Sequence, residues 1–414
     1  MRRVHTTIIG GGQAGLALSR CLTDRGVEHV VLERGSVGER WRTRRRSLRL
    51  LTPNWMSRLP GGGYAGAEPD GFMTMPEVVD LLASYARSFD APVETGTTVA
   101  AVHRAGDGYL VRTDRGELAS RNVVVATGAC QKPQVPGFAR HAHPGLTQLA
   151  AADYRGQLPD GGVLVVGASA SGVQLAWELR AAGREVLLAV GRHTRLPRTY
   201  RGRDIHRWLD RLGVFREPGR RSGSALTAQL VGSPERREVD LATLQRAGVV
   251  LAGRLVGLDG TRARFAGDLP GHVADADRRL RRLLGRIDAH IAATDRLAAR
   301  LPTEPVRPVV PGPAVRERDL AAAGITSVLW ATGYRRRYPW LRVPVLGPDG
   351  ELVHDRGVTP APGLYALGLP LQSRRDSTFI DGVRHDALYL TRHLCAGPRG
   401  QRSGHTVRCE VPVR

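Results

Sequence analysis

Apolar residues along this chain fall in short β-type runs separated by stretches of helical period, the alternation that builds a parallel sheet with helices on its faces. Thr6-Thr7-Ile8-Ile9 breaks into glycines, a helical stretch runs through Leu22, and a second strand follows at His29-Val30-Val31-Leu32. The same order returns at Val163-Leu164-Val165-Val166, with an amphipathic helix from Val173 to Arg180 and a strand from Glu185 to Ala189. Two more apolar strands, Val123-Val124-Val125 and Val328-Leu329-Trp330, run into Ala126-Thr127-Gly128 and Ala331-Thr332-Gly333. One plan is written twice. The glycine turn and the Ala-Thr-Gly are 116 residues apart in the first copy and 164 in the second, so the second carries an insertion. A charged helix from about Ala274 to Arg300, with Leu280, Leu283, Leu284, Ile287 and Ile291 at helical spacing, is the candidate. A helix is expected from near Pro76 with Thr74 or Met75 in its cap region, and Thr98–His103 and Tyr109–Thr113 form a hairpin signal around Ala105-Gly106-Asp107-Gly108. A strand at Leu364–Gly368 and a helix at Gly382–Leu394 close the pattern, and the tail at 397–414, rich in Gly, Arg and Ser, is expected to be poorly ordered.

The first turn is Gly10-Gly11-Gly12-Gln13-Ala14-Gly15. At this spacing the first glycine permits the tight turn, Gly12 removes a side chain where backbone must approach a pyrophosphate, and Gly15 lets the helix pack closely on the strand. The phosphate then sits at a helix N-terminus. Glu33 ends the second strand, 23 residues after Gly10, where a carboxylate accepts hydrogen bonds from ribose hydroxyls. Together these features point to a bound dinucleotide. The second turn is Gly167-Ala168-Ser169-Ala170-Ser171-Gly172, with serine at the third position. Val190 stands 23 residues after Gly167, where an acid would select NAD. Gly191-Arg192-His193-Thr194-Arg195 follows instead, and a cation there pairs with the 2′-phosphate of NADPH. The alternative is that Arg192 and Arg195 are two of many solvated arginines.

Composition narrows the class. The chain has 414 residues with 42% hydrophobic content, enough for two to three globular domains. Its longest apolar runs are the length of buried strands, far short of the roughly 18 residues of a membrane helix, so no span is expected. Met1-Arg2-Arg3-Val4 leads straight into a strand, and a cytoplasmic protein is expected. Cys21, Cys130, Cys395 and Cys409 form no CxxC pair, metal cluster or disulfide framework, which argues against a flavin disulfide reductase and against a metal site. The net charge of +22 raises nucleic acid as a partner. Lys132 is the only lysine, however, and arginines are spread along the whole chain with a local cluster at Arg42, Arg44, Arg45, Arg46 and Arg49, so no specific nucleic-acid binding is expected.

From Val4 to Leu394 the chain resembles the flavin-containing monooxygenases, in particular the bacterial single-component FAD and NADPH flavoproteins. The resemblance rests on Gly10 to Gly15 with Glu33, on Gly38-Glu39-Arg40-Trp41, on Gly167 to Gly172, and on Ala331-Thr332-Gly333-Tyr334. It implies an α/β fold of two Rossmann-like dinucleotide-binding domains, with the FAD domain split in sequence by an inserted NADPH domain. The expected FAD parts are residues 1–157 and 336–396, and the NADPH part is 158–335 with its helical insertion near 274–300. The resemblance places FAD on Gly10, Gly12, Gln13, Ala14, Gly15, Glu33, Arg34, Arg40, Trp41, Thr127, Gly128 and Gly368. It places NADPH on Gly167, Ser169, Ala170, Ser171, Gly172, Arg192, Thr332 and Gly333.

What the resemblance implies for chemistry is hydride transfer from NADPH to flavin, reaction with O2, and delivery of one oxygen atom to a small organic substrate through a peroxyflavin. Soft nitrogen or sulfur nucleophiles would be oxygenated directly and a ketone would undergo Baeyer–Villiger insertion. The chain departs from the family linker, FxGxxxHxxx and an aromatic: Tyr154 is present, but Ala150 holds the histidine position, and neither His141 nor His143 has the spacing. Asn54, in Leu51-Thr52-Pro53-Asn54, is either a displaced counterpart of the family asparagine, and the one catalytic candidate, or a turn residue. Trp55, Met56, Phe72 and Met73 either line a pocket beside the flavin or pack a core. Two rival readings stand: a reductase or dehydrogenase that inserts no oxygen, and a basic flavin-bearing interaction protein whose contact surface is the Arg42–Arg49 cluster.

Overall fold

The computed structural model describes residues 1–218, 228–295, 298–303, 305–310 and 312–396; the tail at 397–414, with Cys409, lies outside the described residues. Its centre is two sheets, the first mixed and the second all parallel. In the first, Arg2–Ile9 lies between His29–Leu32 and Gly116–Val125, in register from Thr6 beside His29 to Ile9 beside Val125. Gly116–Val125 is long enough to serve two partners. Its first half pairs antiparallel with Gly108–Thr113, and its second half pairs parallel with Leu364–Ala366, which returns from the far end of the chain. In the second sheet the order is Thr147–Ala150, Ile325–Trp330, Gly162–Val166, Val186–Ala189 and Val250–Ala252, all parallel. The fold is thus two Rossmann-like units, the first interrupted in sequence by the second. Val163, Leu164 and Val165, like Val123 and Val124, are fully buried, as expected of strands covered on both faces.

Local chemistry explains the well-formed elements. The helix Met75–Arg87 starts at Thr74, whose hydroxyl accepts from the Glu77 amide while the Glu77 carboxylate accepts from the Thr74 amide at 2.6 Å. This reciprocal cap is worth about 1 kcal/mol. Val99–Ala105 and Gly108–Thr113 form the expected hairpin, with Gly106 at φ 56° in the turn.

The inserted helix differs from its sequence outline. It runs Leu269–Thr294, not from 274 to 300. Pro270 in its first turn and the buried Leu269 and Val273 extend the apolar stripe upstream, continuing through Ala276, Leu280, Leu284, Ile287 and Ile291. It ends at Asp295, whose carboxylate accepts from the Ala298 amide at 3.0 Å and caps a separate short turn. The stripe packs on Ile205, Trp208 and Leu209, so the helix is a wall of the second unit.

A buried polar group lies where the units meet. His206 is 4% exposed, stacked on Phe215, with its Nδ1 3.0 Å from Asp204 and 2.7 Å from the Arg198 guanidinium. Burial, and secondarily Arg198, hold its pKa below the usual 6.5 against the opposing pull of Asp204. His29 and His193 are lowered by burial in the same way. The unfolded chain therefore takes up protons near pH 6.5 that the folded chain refuses, so this stability is complete above that pH and is lost as pH falls. The melting temperature is expected to drop between about pH 7 and pH 5, and His206→Gln should flatten that slope in a pH series of thermal melts. An unchanged slope in His206→Gln would assign the effect to the other histidines lowered by burial, His5, His29, His193 and His385.

Candidate functional site

Both glycine turns sit at the carboxyl edge of their sheets and have the same geometry. At the first, Gly10 has φ 117°, and a Cβ on it would lie 2.5 Å from the Ala126 carbonyl oxygen. At the second, Gly167 has φ 105°, and a Cβ would lie 2.5 Å from the Ala331 carbonyl oxygen. Each helix then presses onto its turn: a Cβ on Gly15 would lie 1.9 Å from the Gly10 oxygen, and one on Gly172 would lie 1.7 Å from the Gly167 oxygen. Gly12 is different, for a Cβ there meets nothing within 4 Å. Packing demands the outer glycines, whereas the middle one borders open space at the start of Gln13–Thr23, where free N–H groups attract phosphate. Ser169 begins Ala170–Ala181 at φ −83°, close to the −89° of Gly12, so a serine fits without strain.

Around the first turn the structure gathers residues from three regions. Glu33 accepts from the Gly11 amide at 2.7 Å through one carboxylate oxygen and from the Gly35 amide at 2.9 Å through the other. Trp41 donates its indole N–H to Gln13 at 3.1 Å, and Gln13 in turn donates to the Thr378 carbonyl at 3.4 Å. Gly368 has φ 78°, and a Cβ on it would lie 2.8 Å from that of Ala14, so the returning C-terminal segment touches the helix start. Thr127 lies against Gly10 and accepts from Gln131 at 2.8 Å, followed by Gly128 at φ 75°. Arg34 and Arg40 are exposed, and the Arg40 guanidinium lies 5.5 Å over the Tyr334 ring.

At the second turn the two arginines part company. Arg195 is 3% exposed and bound to Asp240 at 2.5 Å and Asp277 at 2.9 Å. It holds the fold together and has no face for a ligand. Arg192 is exposed, and its guanidinium has no partner among the described residues. Ser169 makes no side-chain cap bond, Thr332 donates to the Gln134 carbonyl, and Gly333 has φ 89°. Gln229, which no spacing in the sequence marks, donates to the Ala168 carbonyl in the turn at 2.8 Å from 61 residues away.

The remaining candidates sit in the seam between the units. Both ends of the Asn54 amide are engaged, donating to Glu68 O at 2.9 Å and accepting from the Met73 amide at 2.7 Å, so it serves as a turn residue of that loop. Met56, Phe72 and Met73 are buried core residues, and Trp55 lies under Arg207, whose guanidinium is 4.3 Å from the ring centroid. Ala150 is buried at the end of its strand, and Tyr154 is buried with Arg45 5.5 Å over its ring. Four of the clustered arginines are engaged within the protein, Arg42 with Glu39 at 3.8 Å. Arg44 donates to the Tyr334 hydroxyl at 3.0 Å, Arg45 pairs with Glu178, and Arg49 donates to the Phe72 carbonyl at 2.7 Å. The Cys21 thiol is buried and pushed up to about 11, Cys130 is partly buried and Cys395 exposed. Among the described residues no His, Cys, Asp and Glu group could hold a metal, and no helix is long and apolar enough to cross a membrane.

Comparison with known proteins agrees with this geometry. The family model described as pyridine nucleotide-disulphide oxidoreductase matches residues 7–210. An uncharacterized CzcO-like oxidoreductase of Geobacillus kaustophilus is 31% identical over 396 residues, which is 94% of this chain and 98% of the relative. The chain belongs to the CzcO-like oxidoreductases. An indole-3-pyruvate monooxygenase of rice, named YUCCA1, is 34% identical over 198 residues, 44% of this chain and 47% of that one. A flavin-containing monooxygenase from Stenotrophomonas maltophilia shares the fold, with a TM-score of 0.68 and 20% identity over 96% of this chain and 99% of its own. The resemblance carried by the glycine turns and by Ala331 to Tyr334 is borne out in family and fold: this CzcO-like chain is an oxidoreductase with the two-unit fold of the flavin-containing monooxygenase.

The glycine geometry separates folding from binding. Gly12→Val is expected to give a folded protein without flavin, because its side chain projects into the open space that the pyrophosphate needs. Gly15→Val is expected to abolish folding, because its Cβ falls 1.9 Å from the Gly10 carbonyl oxygen. Circular dichroism and the flavin-to-protein absorbance ratio of the two purified variants check this, and a Gly12→Val protein with full flavin content would move the FAD site elsewhere.

Proposed function

We propose that this protein is a FAD-dependent, NADPH-using monooxygenase that places one oxygen atom from O2 on a small organic substrate, with residues 1–131 and 336–396 holding FAD and 134–333 holding NADPH; the boundary expected at 157 moves upstream because Thr147–Ala150 lies in the second sheet. The observation that carries the reading is the duplicated turn: two helix starts of matching geometry, at Gly10–Gly15 and Gly167–Gly172, on sheets joined by paired linkers. Bound FAD would supply the redox chemistry, taking a hydride from NADPH and reacting with O2. The chain supplies placement. The amides at the start of Gln13–Thr23 would hold the FAD pyrophosphate, and Glu33, anchored by Gly11 and Gly35, would accept from the adenosine ribose. Ser169 and Ser171 would meet the NADPH pyrophosphate, and Arg192, free of any internal carboxylate, would meet its 2′-phosphate.

The sequence has no CxxC pair to carry electrons away from a reduced flavin, which supports O2 as the acceptor. The proposed substrates are soft nucleophiles, amines or sulfides, or a ketone. Ala150 favours a second reading, a reductase that inserts no oxygen, because no imidazole at that position steadies the cofactors and reduced flavin is then open to leakage as hydrogen peroxide.

Two outcomes test this. Arg192→Ala should raise the NADP⁺ dissociation constant about 10- to 100-fold, the loss of one charge-assisted contact of about 1.5 to 3 kcal/mol, and leave NADH affinity unchanged in calorimetric titrations. Under labelled oxygen gas, one labelled atom should enter product per NADPH oxidised, alongside some uncoupled peroxide. If a screen of amines, sulfides and ketones gives peroxide alone with no label in any product, the reductase reading replaces this one.

A further inference from the structure

Arg198 is a buried guanidinium that bonds across the seam between the two units. It is 1% exposed, bound to Asp204 at 2.6 Å within the second unit. Its other arm crosses the seam and donates to the Leu51 carbonyl at 2.9 Å, 147 residues away, and its plane lies 4.9 Å from the Phe72 ring centroid. On the first side, the neighbouring Leu50 is bonded to Met73 at 2.8 Å and packs in the same core as Ala14 and Leu18 of the turn helix. On the second side, Thr194–Arg195, just upstream, pairs with Ala228–Gln229, and Gln229 holds the Ala168 carbonyl of the other turn. The surroundings permit no slack: a Cβ on Gly232 would lie 2.0 Å from the Leu50 carbonyl oxygen.

We propose that Arg198 is a positioning residue for hydride transfer, registering the second nucleotide unit on the first through the Leu51 carbonyl. The inference rests on the reading that the two turns hold FAD and NADPH. In that step NADPH loses a hydride, two electrons with a proton, and FAD gains it together with a proton from solvent, so the two rings must meet at reacting distance. A displacement of about 1 Å costs roughly 10²-fold in rate. The planar fork bridges Asp204 and the Leu51 carbonyl at once, which a lysine ammonium on a single stem does less well. Asp204 also caps the helix Ile205–Arg211, accepting from the His206 amide at 2.8 Å.

The test uses the full-length, FAD-loaded protein with two variants. Arg198→Met/Asp204→Asn removes both buried charges together and so leaves neither one unpaired, while the asparagine keeps the cap on the His206 amide, and Arg198→Lys keeps the cation. The limiting rate of anaerobic flavin bleaching by NADPH should fall about 10²-fold in the double variant and less in Arg198→Lys. Flavin content and the NADP⁺ dissociation constant should stay at wild-type values, while amide exchange at Leu50–Met56 speeds up. A folded, flavin-loaded double variant that bleaches at the wild-type rate overturns the proposal. So does a slower rate matched by an equal loss of flavin or of NADP⁺ affinity, which would make Arg198 a residue of the fold alone. If the double variant does not fold, Arg198→Lys decides by the same comparison. A wild-type flavin that NADPH does not bleach would overturn the cofactor reading, and the positioning role with it.

Discussion

A carbonyl oxygen beneath a helix sets the terms for most of this structure. The Gly10 oxygen lies where a Cβ of residue 15 would be, and the Gly167 oxygen where a Cβ of residue 172 would be, at 1.9 and 1.7 Å. No side chain fits there, so each helix is drawn onto the end of its first strand. That closeness brings the unpaired amides at the helix start to the carboxyl edge of the sheet, the place where a parallel sheet receives its ligand. Other features follow from it. Ala126 and Ala331 present their carbonyls to the same turns, which is why Thr127 and Thr332 adjoin the two crevices. Gly368 brings the returning C-terminal segment against Ala14, closing a unit interrupted by nearly half the chain.

The arginine content takes its meaning from the seam. In an arginine-rich chain most guanidiniums are solvated, and surface ion pairs contribute little. Those at the junction are bound inside: Arg44 on Tyr334, Arg45 on Glu178, and Arg198 buried between Asp204 and Leu51. A planar fork can bridge a carboxylate on one unit and a carbonyl on the other, so arginine suits a joint between two folded units. The paired strands Lys132–Pro133 and Tyr334–Arg335 cross at the same joint, so both chain connections between the units meet there.

The two turns, the strands that feed them, the hairpin and the Thr74 cap were legible in the sequence because each depends on neighbours a few residues away. A glycine required by a tight turn stays a glycine wherever the chain goes afterwards, and an alternation of apolar residues fixes which face of a strand is buried. Where the determining partner is distant, the sequence is silent or ambiguous. Arg192 and Arg195 look alike in the sequence, yet one is exposed and the other bound to Asp240 and Asp277. Asn54 looked as much like a catalytic residue as a turn residue until Glu68 and Met73 closed on its amide. The inserted helix was outlined by its charges, but its true start at Leu269 depends on the wall it packs against.

The sequence by itself determined that this chain forms two dinucleotide-binding units of one plan, because glycine spacing and apolar period are rules of local sterics. Only the tertiary structure decided which arginine is free for a phosphate, that Gln229 holds the second turn, and that Arg198 ties one unit to the other. Those assignments depend on groups 45 to 147 residues apart meeting in a space from which water is excluded. Burial makes such bonds decisive, since a polar group left unpaired there would carry the full cost of its lost hydration.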